Sequence, residues 1–235
     1  MKLALIGYGV MGRLIDSCAS QAGHQVIARM DLQEASLKVD AFAELLVGSD
    51  VVIDFSIGPA VRRNVTACMQ AGLPLVEGAT GWTEQLPEVK QLVAEFQGSM
   101  IYGANFSIGV NLFYRIAACA ADLFSGVPSY APFIEEAHHA RKRDAPSGTA
   151  RKLHEILSAR MTVGIPVSST RAGYIPGTHR VGFDSAGDQI VLKHTVRSRE
   201  GFAAGALAAA SWIKERKGFY EFSDVLDDIL KRASQ

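Results

Sequence analysis

The segment Glu135-Glu136-Ala137-His138-His139-Ala140-Arg141-Lys142-Arg143-Asp144-Ala145-Pro146-Ser147-Gly148-Thr149 places two imidazoles and three cations within six residues. It follows an apolar strand and opens a helix at about Thr149. Ser147, Gly148 and Thr149 therefore offer hydroxyls and free N–H groups at a helix N-terminus, a seat for a carboxylate. Lys142 brings a positive charge, and His138 and His139 bring titratable protons. This combination suits a small substrate with one or two carboxylates that takes up a proton as it reacts. A solvated basic loop before an ordinary helix cap is the plainer alternative, and it suits Arg141 and Arg143. No metal site is expected, because adjacent histidines on a strand face opposite ways and no third ligand is spaced to join them. His24, His154 and His179 read as structural or surface residues. Lys193 to Arg199, which contains His194, forms a second basic strand end.

The other chemical signal is Gly7-Tyr8-Gly9-Val10-Met11-Gly12, a G-x-G-x-x-G run directly after the first strand and at the opening of a helix. In that context Gly7 permits a tight turn and Gly9 lets a pyrophosphate approach the backbone. Gly12 allows close helix–strand packing, and the helix N-terminus faces the phosphates. Asp31 ends the second strand, where a carboxylate accepts hydrogen bonds from the ribose hydroxyls and repels a 2′-phosphate. Leu32 offers that phosphate nothing, although Arg29 lies on the same strand face as Asp31. The reading favours NADH, with NADPH as the alternative. Two further loops, Gly78-Ala79-Thr80-Gly81 and Gly103-Ala104-Asn105-Phe106-Ser107, follow strand ends and are expected to line the nicotinamide side.

These groups need a scaffold. Short apolar strands at Leu3–Ile6, Gln25–Met30, Val51–Phe55, Pro74–Val76 and Met100–Tyr102 alternate with helical stretches. That pattern predicts a Rossmann-like parallel sheet covered on both faces. After Asn105 a long helix spans about Val110–Leu123. Strands then follow near Phe133–Ala137, Val167–Arg171, Val181–Phe183 and Gln189–Val196, which predicts a second α+β domain with a mixed or antiparallel sheet. Helices are expected at Phe202–Lys214 and Phe222–Arg232. The expected boundaries are 1–105 for the dinucleotide domain, rejoined by the C-terminal helix at about 215–235. Residues 106–214 would form the substrate-binding and oligomerisation domain.

Composition narrows the class. The 235 residues are 48% hydrophobic and 20% charged, with 24 basic and 24 acidic side chains and no net charge. A nucleic-acid or membrane-surface binder would carry a basic excess, so neither partner is expected. Cys18, Cys68 and Cys119 are widely spaced in apolar helical stretches and read as buried, reduced thiols. No apolar run reaches a membrane span of ~18 residues. The opening residues read as a strand rather than a signal peptide, and the expected location is cytoplasmic.

The chain as a whole resembles the dihydrodipicolinate reductase family of bacterial and plant lysine synthesis. The specific match runs from Glu136-Ala137-His138-His139 through Lys142 to Asp144-Ala145-Pro146-Ser147-Gly148-Thr149-Ala150. Support comes from Val52-Ile53-Asp54-Phe55-Ser56, the Gly78–Gly81 loop, Ala104 to Val110, and His194 to Ala206. The resemblance implies reduction of 4-hydroxy-tetrahydrodipicolinate to tetrahydrodipicolinate with loss of water, by NADH or NADPH. It makes His138 the proton donor and acceptor and Lys142 a second proton donor. His139, Ser147, Gly148 and Thr149 would hold the substrate carboxylates. It also implies a homotetramer built through the second sheet, and a hinge between the domains. Three departures bear on cofactor choice and grip: a glycine loop one residue shorter than the common form, Ala79 in place of a usual threonine, and Leu32 in place of a basic residue. Another Rossmann reductase, or a nucleotide-sensing protein without catalysis, would be expected to lack the His138–Thr149 segment or its His138 and Lys142.

Overall fold

The computed structural model describes residues 1–233 and divides into two compact units. One comprises Met1–Ile108 and the chain from Arg199 on; the other is Gly109–Ser198. The first unit is built on six parallel strands: β1 (Lys2–Ile6), β2 (Gln25–Met30), β3 (Val51–Asp54), β4 (Leu75–Glu77), β5 (Ser99–Tyr102) and, late in the chain, β10 (Gly218–Glu221). Their order is β10-β5-β4-β3-β1-β2. Strands β1, β3 and β4 bury nearly every side chain, as a sheet covered on both faces requires.

One face packs α1 (Val10–Gln21), α7 (Glu200–Ile213) and α8 (Phe222–Ala233) around Leu3, Leu5, Ile53, Phe106 and Trp212. The other packs α2 (Val39–Leu46), α3 (Val61–Gln70) and α4 (Leu86–Glu95) around Phe42, Val52, Val65, Trp82 and Met100. Helix α7 therefore belongs to the first unit, not to the 106–214 segment where its sequence position places it. Its Ala203, Ala206, Ala209 and Ala210 are all fully buried, and small side chains let the helix backbone approach closely. Gly205 shows how close: a Cβ there would lie 1.8 Å from the Phe106 carbonyl oxygen. Strand β10 and helix α8 lie in the first unit; residues 234 and 235 lie outside the described chain. Strand β10 is only four residues long and shows no alternation of buried and exposed positions, so it carries no periodic signal, whereas helix α2 buries Phe42, Ala43 and Leu46 at helical spacing.

In the second unit α5 (Ile108–Phe124) leads into β6 (Ala131–His138), α6 (Gly148–Ser158), β7 (Val167–Arg171), β8 (Thr178–Asp184) and β9 (Gln189–Thr195). The sheet order is β7-β6-β8-β9, parallel between β6 and β7 and antiparallel elsewhere. One face is sealed by Phe113, Ala117 and Ala121 of α5 and Leu153 and Leu157 of α6, against Ile134, Val181 and Phe183. All three cysteines are free, but only Cys68 is buried; Cys18 is half-buried and Cys119 faces outward on the exposed side of α5. No helix among the described residues is long and apolar enough to cross a membrane.

Candidate active site

In the first unit, the three glycines of the 7–12 turn differ in what surrounds them. Gly7 has φ of +82°, and a Cβ there would sit 2.6 Å from the Ser56 amide nitrogen. At Gly12 it would sit 2.3 Å from the Gly7 carbonyl oxygen. At Gly9 nothing lies within 4 Å, and no side chain caps α1, so its first N–H groups face open space. An open, uncapped helix N-terminus with a bare backbone fits a pyrophosphate. Val10 beside it is exposed and Met11 half-buried. Tyr8 leaves the turn to donate its hydroxyl hydrogen to Asp16 at 2.5 Å.

Asp31 follows β2, is exposed, and its carboxylate has no partner among the described residues; its N–H is held by Glu34 at 2.8 Å. Leu32 is exposed. Arg29 is committed elsewhere, donating to both oxygens of Asp16 at 2.7 and 3.0 Å. The two later loops also sit beyond strand ends. Gly78 abuts the Phe55 ring, Ala79 is buried, and Thr80 is exposed. Gly103 and Asn105 are half-buried and Ala104 exposed, while the Asn105 side chain accepts the Ser107 N–H at 2.8 Å. Phe106 is different: its ring is 1% exposed between Phe55 and Phe222, so its contribution to a ligand is limited to backbone.

In the second unit, the alternation along β6 turns Glu136 and His138 to the same buried side. His138 Nδ1 lies 2.5 Å from Glu136 Oε2. Arg171, next to His138 across the parallel β6–β7 pairing, grips both Glu136 oxygens at 2.6 and 2.8 Å. The Ser147 N–H adds a fourth bond at 3.2 Å. Burial would raise the Glu136 acid, but the bonds from Arg171, Ser169, His138 and Ser147 outweigh it and hold it at about 2. A carboxylate thus stays ionised under His138 and fixes its Nδ1–H tautomer. Burial lowers the His138 pKa against the pull of Glu136, so the imidazole is neutral at neutral pH, and no protein group among the described residues binds its Nε2.

His179 is a site residue that sequence reasoning placed in the background. It faces Glu136 across the antiparallel β6–β8 pairing, and its Nε2 lies 2.9 Å from the Ser147 hydroxyl. Its ring stands edge-on to His138 at 5.0 Å, and burial brings its pKa to about 4. His194 pairs with His179 on β9 and stacks on Phe113. The Ser147 hydroxyl also caps α6 by accepting the Ala150 N–H at 3.2 Å. Ser147 is buried, and its hydroxyl already bonds within the protein, to His179 and to the Ala150 N–H. What remains open at this helix end is Gly148, with only Arg151 Nη2 within 4 Å of a built Cβ, while the half-buried Thr149 hydroxyl hydrogen-bonds Tyr114. Lys142 holds Asp144 at 2.8 Å and is one-quarter exposed. His139 is half-buried, with its Nδ1 buried and unbonded.

Folding groups His138, without His139, with two other potential ligands: Glu136, His138 and His179 have donor atoms within 4.8 Å of one another. Both Glu136 oxygens, however, are already engaged by the Arg171 guanidinium. A cation would have to displace a buried positive group, so the cluster acts as a hydrogen-bonded charge network.

A glycine-loop dinucleotide unit paired with a separate unit that carries a carboxylate-oriented histidine, a lysine and an open helix N-terminus defines a nicotinamide-dependent oxidoreductase. Sequence profiles described as dihydrodipicolinate reductase N-terminus and C-terminus match residues 1–106 and 109–226. A 4-hydroxy-tetrahydrodipicolinate reductase of Christiangramia forsetii is 35% identical, covering 98% of this chain and all of its own. One from Archaeoglobus fulgidus is 33% identical over 97% of this chain and 100% of its own. A dipicolinate-bound dihydrodipicolinate reductase structure from Paenisporosarcina sp. TG-14 shares the fold, with a TM-score of 0.79, 24% identity, and coverage of 96% and 99% of the two chains. The chain belongs to the dihydrodipicolinate reductase family.

Proposed function

We propose that this protein reduces 4-hydroxy-tetrahydrodipicolinate to tetrahydrodipicolinate, with loss of water, at the expense of NADH or NADPH, in lysine and diaminopimelate synthesis. The observation that carries the reading is the Arg171–Glu136–His138 chain beside Lys142 and the open end of α6. The Gly7–Gly12 turn, the Gly78–Thr80 loop and the Gly103–Phe106 loop would hold the nicotinamide cofactor, which would supply the hydride for the reduction. The N–H groups of Gly148 and Thr149, the α6 dipole and His139 hold the substrate carboxylates. The reduction consumes one proton. Lys142 supplies it as an ammonium, and His138 Nε2 takes up and returns a proton while Glu136 stabilises the imidazolium that forms. Arg171 keeps Glu136 ionised for that purpose and is itself a positioning residue.

Asp31 with its uncommitted carboxylate, and Arg29 tied to Asp16, favour NADH over NADPH. The face of the β7-β6-β8-β9 sheet away from α5 and α6, with Val191 open to solvent on β9, supports assembly into a homotetramer through this unit. The expected location is the cytoplasm. The decisive assay follows NADH oxidation with the fresh product of dihydrodipicolinate synthase. Turnover that depends on that product and falls in Lys142→Ala supports the reading; NADH oxidation indifferent to the product refutes it.

A further inference from the structure

Asp54 and Glu77 end the neighbouring strands β3 and β4 in direct register, and both are fully buried. They lie at the carboxyl ends of the sheet, under the loops assigned above to the cofactor. Asp54 is well supplied with donors. Its Oδ1 accepts the Ser56 N–H at 2.7 Å, and its Oδ2 accepts from Asn64 Nδ2 at 2.7 Å. Glu77 is not. Its Oε1 accepts the Ala79 N–H at 2.7 Å, while its Oε2 is buried with no hydrogen-bond donor among the described residues.

Among the described residues no lysine, arginine or histidine contacts either carboxyl. Arg63 on α3 spends its guanidinium on the Asn64 amide oxygen, at 3.1 Å, and on the Glu34 and Ala35 carbonyls. The other titratable group facing the pair is Cys68 on α3, whose thiol burial pushes well up, so it stays neutral. Two adjacent buried carboxylates without a cation cannot both be ionised, since each is desolvated and repels the other. One proton resolves the conflict. It gives Glu77 Oε2 a hydrogen to donate to Asp54, and it leaves Asp54 as the anion that Ser56 and Asn64 are arranged to receive.

Resting on the cofactor site described above, we propose that Asp54 and Glu77 hold one proton between them and act together as positioning residues for the cofactor loops. The backbone shows what they position. Ser56 and Ala79, the two residues whose N–H groups the pair accepts, begin the loops that follow β3 and β4. Those loops meet backbone to backbone: a Cβ on Gly58 would lie 2.6 Å from the Gly81 carbonyl oxygen. The first of them also abuts the nucleotide turn, since a Cβ on Gly7 would lie 2.6 Å from the Ser56 nitrogen. Loss of the bridging proton would set two anions against each other directly beneath this stack. Burial, then the Asp54 charge, drives the Glu77 acid well above the usual carboxyl range, consistent with a proton retained at neutral pH.

The test uses the intact protein and Glu77→Gln, whose amide donates to Asp54 and still accepts from Ala79. The wild-type infrared spectrum should contain a protonated-carboxyl band at neutral pH that is missing from Glu77→Gln. The folded wild type should also hold one more proton than the unfolded chain. Above about pH 5, for as long as the folded pair keeps its proton, its unfolding constant should then grow about tenfold per pH unit relative to the variant. Glu77→Ala should weaken NADH binding about tenfold, the scale of one lost buried hydrogen bond, and Glu77→Gln should recover most of that loss. Absence of the band and of the extra proton overturns the shared proton, as does glutamine binding NADH no better than alanine for the positioning role. A wild type that binds no nicotinamide dinucleotide refutes the cofactor site instead, and the infrared and unfolding measurements still judge the pair.

Discussion

Glu136→Gln is the most informative single change, because one carboxylate anchors Arg171 and orients His138. Its folded pKa of about 2 lies some 2.5 units below the ordinary 4.5 for glutamate. Each unit is worth about 1.4 kcal/mol, so the ionised carboxylate contributes about 3 kcal/mol at neutral pH. Neither oxygen is exposed and Arg171 is only 16% exposed, so solvent screens little of this. The direction follows from the depressed pKa: the contribution is complete above about pH 4.5 and is lost as pH falls through about 2. The glutamine variant leaves a largely buried guanidinium without its counter-charge, a loss of the same order or somewhat larger. For a chain of this size that corresponds to a Tm about 6–12 °C lower at neutral pH. Thermal melts of both proteins across the acid range, with turnover measured alongside, test it. The wild type should lose stability between pH 4.5 and 2 while the variant stays comparatively flat there, and kcat should fall as His138 loses its orienting anion. A variant that melts with the wild type at pH 7, or keeps the same acid dependence, would refute the assignment of Glu136 as the anchor.

Three other outcomes are expected. His138→Ala and Lys142→Ala should each cut turnover about 10²-fold or more without changing the Kd for NADH, the scale of a lost general acid or base; titration of the cofactor alongside steady-state kinetics checks both halves. Gly148→Ala should place a methyl group in the open carboxylate seat, raising KM for the substrate about tenfold while stabilising α6 by up to ~1 kcal/mol, as alanine does over glycine in a helix; a melt and a Michaelis curve from one preparation separate these opposite effects. Asp31→Ser combined with Leu32→Arg should shift preference from NADH toward NADPH by removing a repulsion and adding a phosphate partner, and a wild type that already binds NADPH more tightly contradicts the premise.

What the sequence determined by itself is what neighbouring residues decide. The three glycines of the 7–12 turn act within one strand–turn–helix, and the register from His138 to Thr149 lies within one strand–loop–helix. The placement of parallel and mixed sheets follows from hydrophobic runs and their period. The tertiary structure decided everything that depends on residues meeting across strands. Glu136 finds Arg171, 35 residues away, through the parallel pairing of β6 with β7. His179 reaches Ser147 because β8 returns antiparallel beside β6. That meeting ties the Ser147 hydroxyl into the protein's own network and brings His179, a background residue in the sequence, edge-on to His138. Helix α7 and strand β10 likewise join the first unit although the chain reaches them only after the second unit. The physical reason is common to all of these: a residue's own type sets what it can bond to, but burial and partner, which set its charge state and its job, are properties of the pairing.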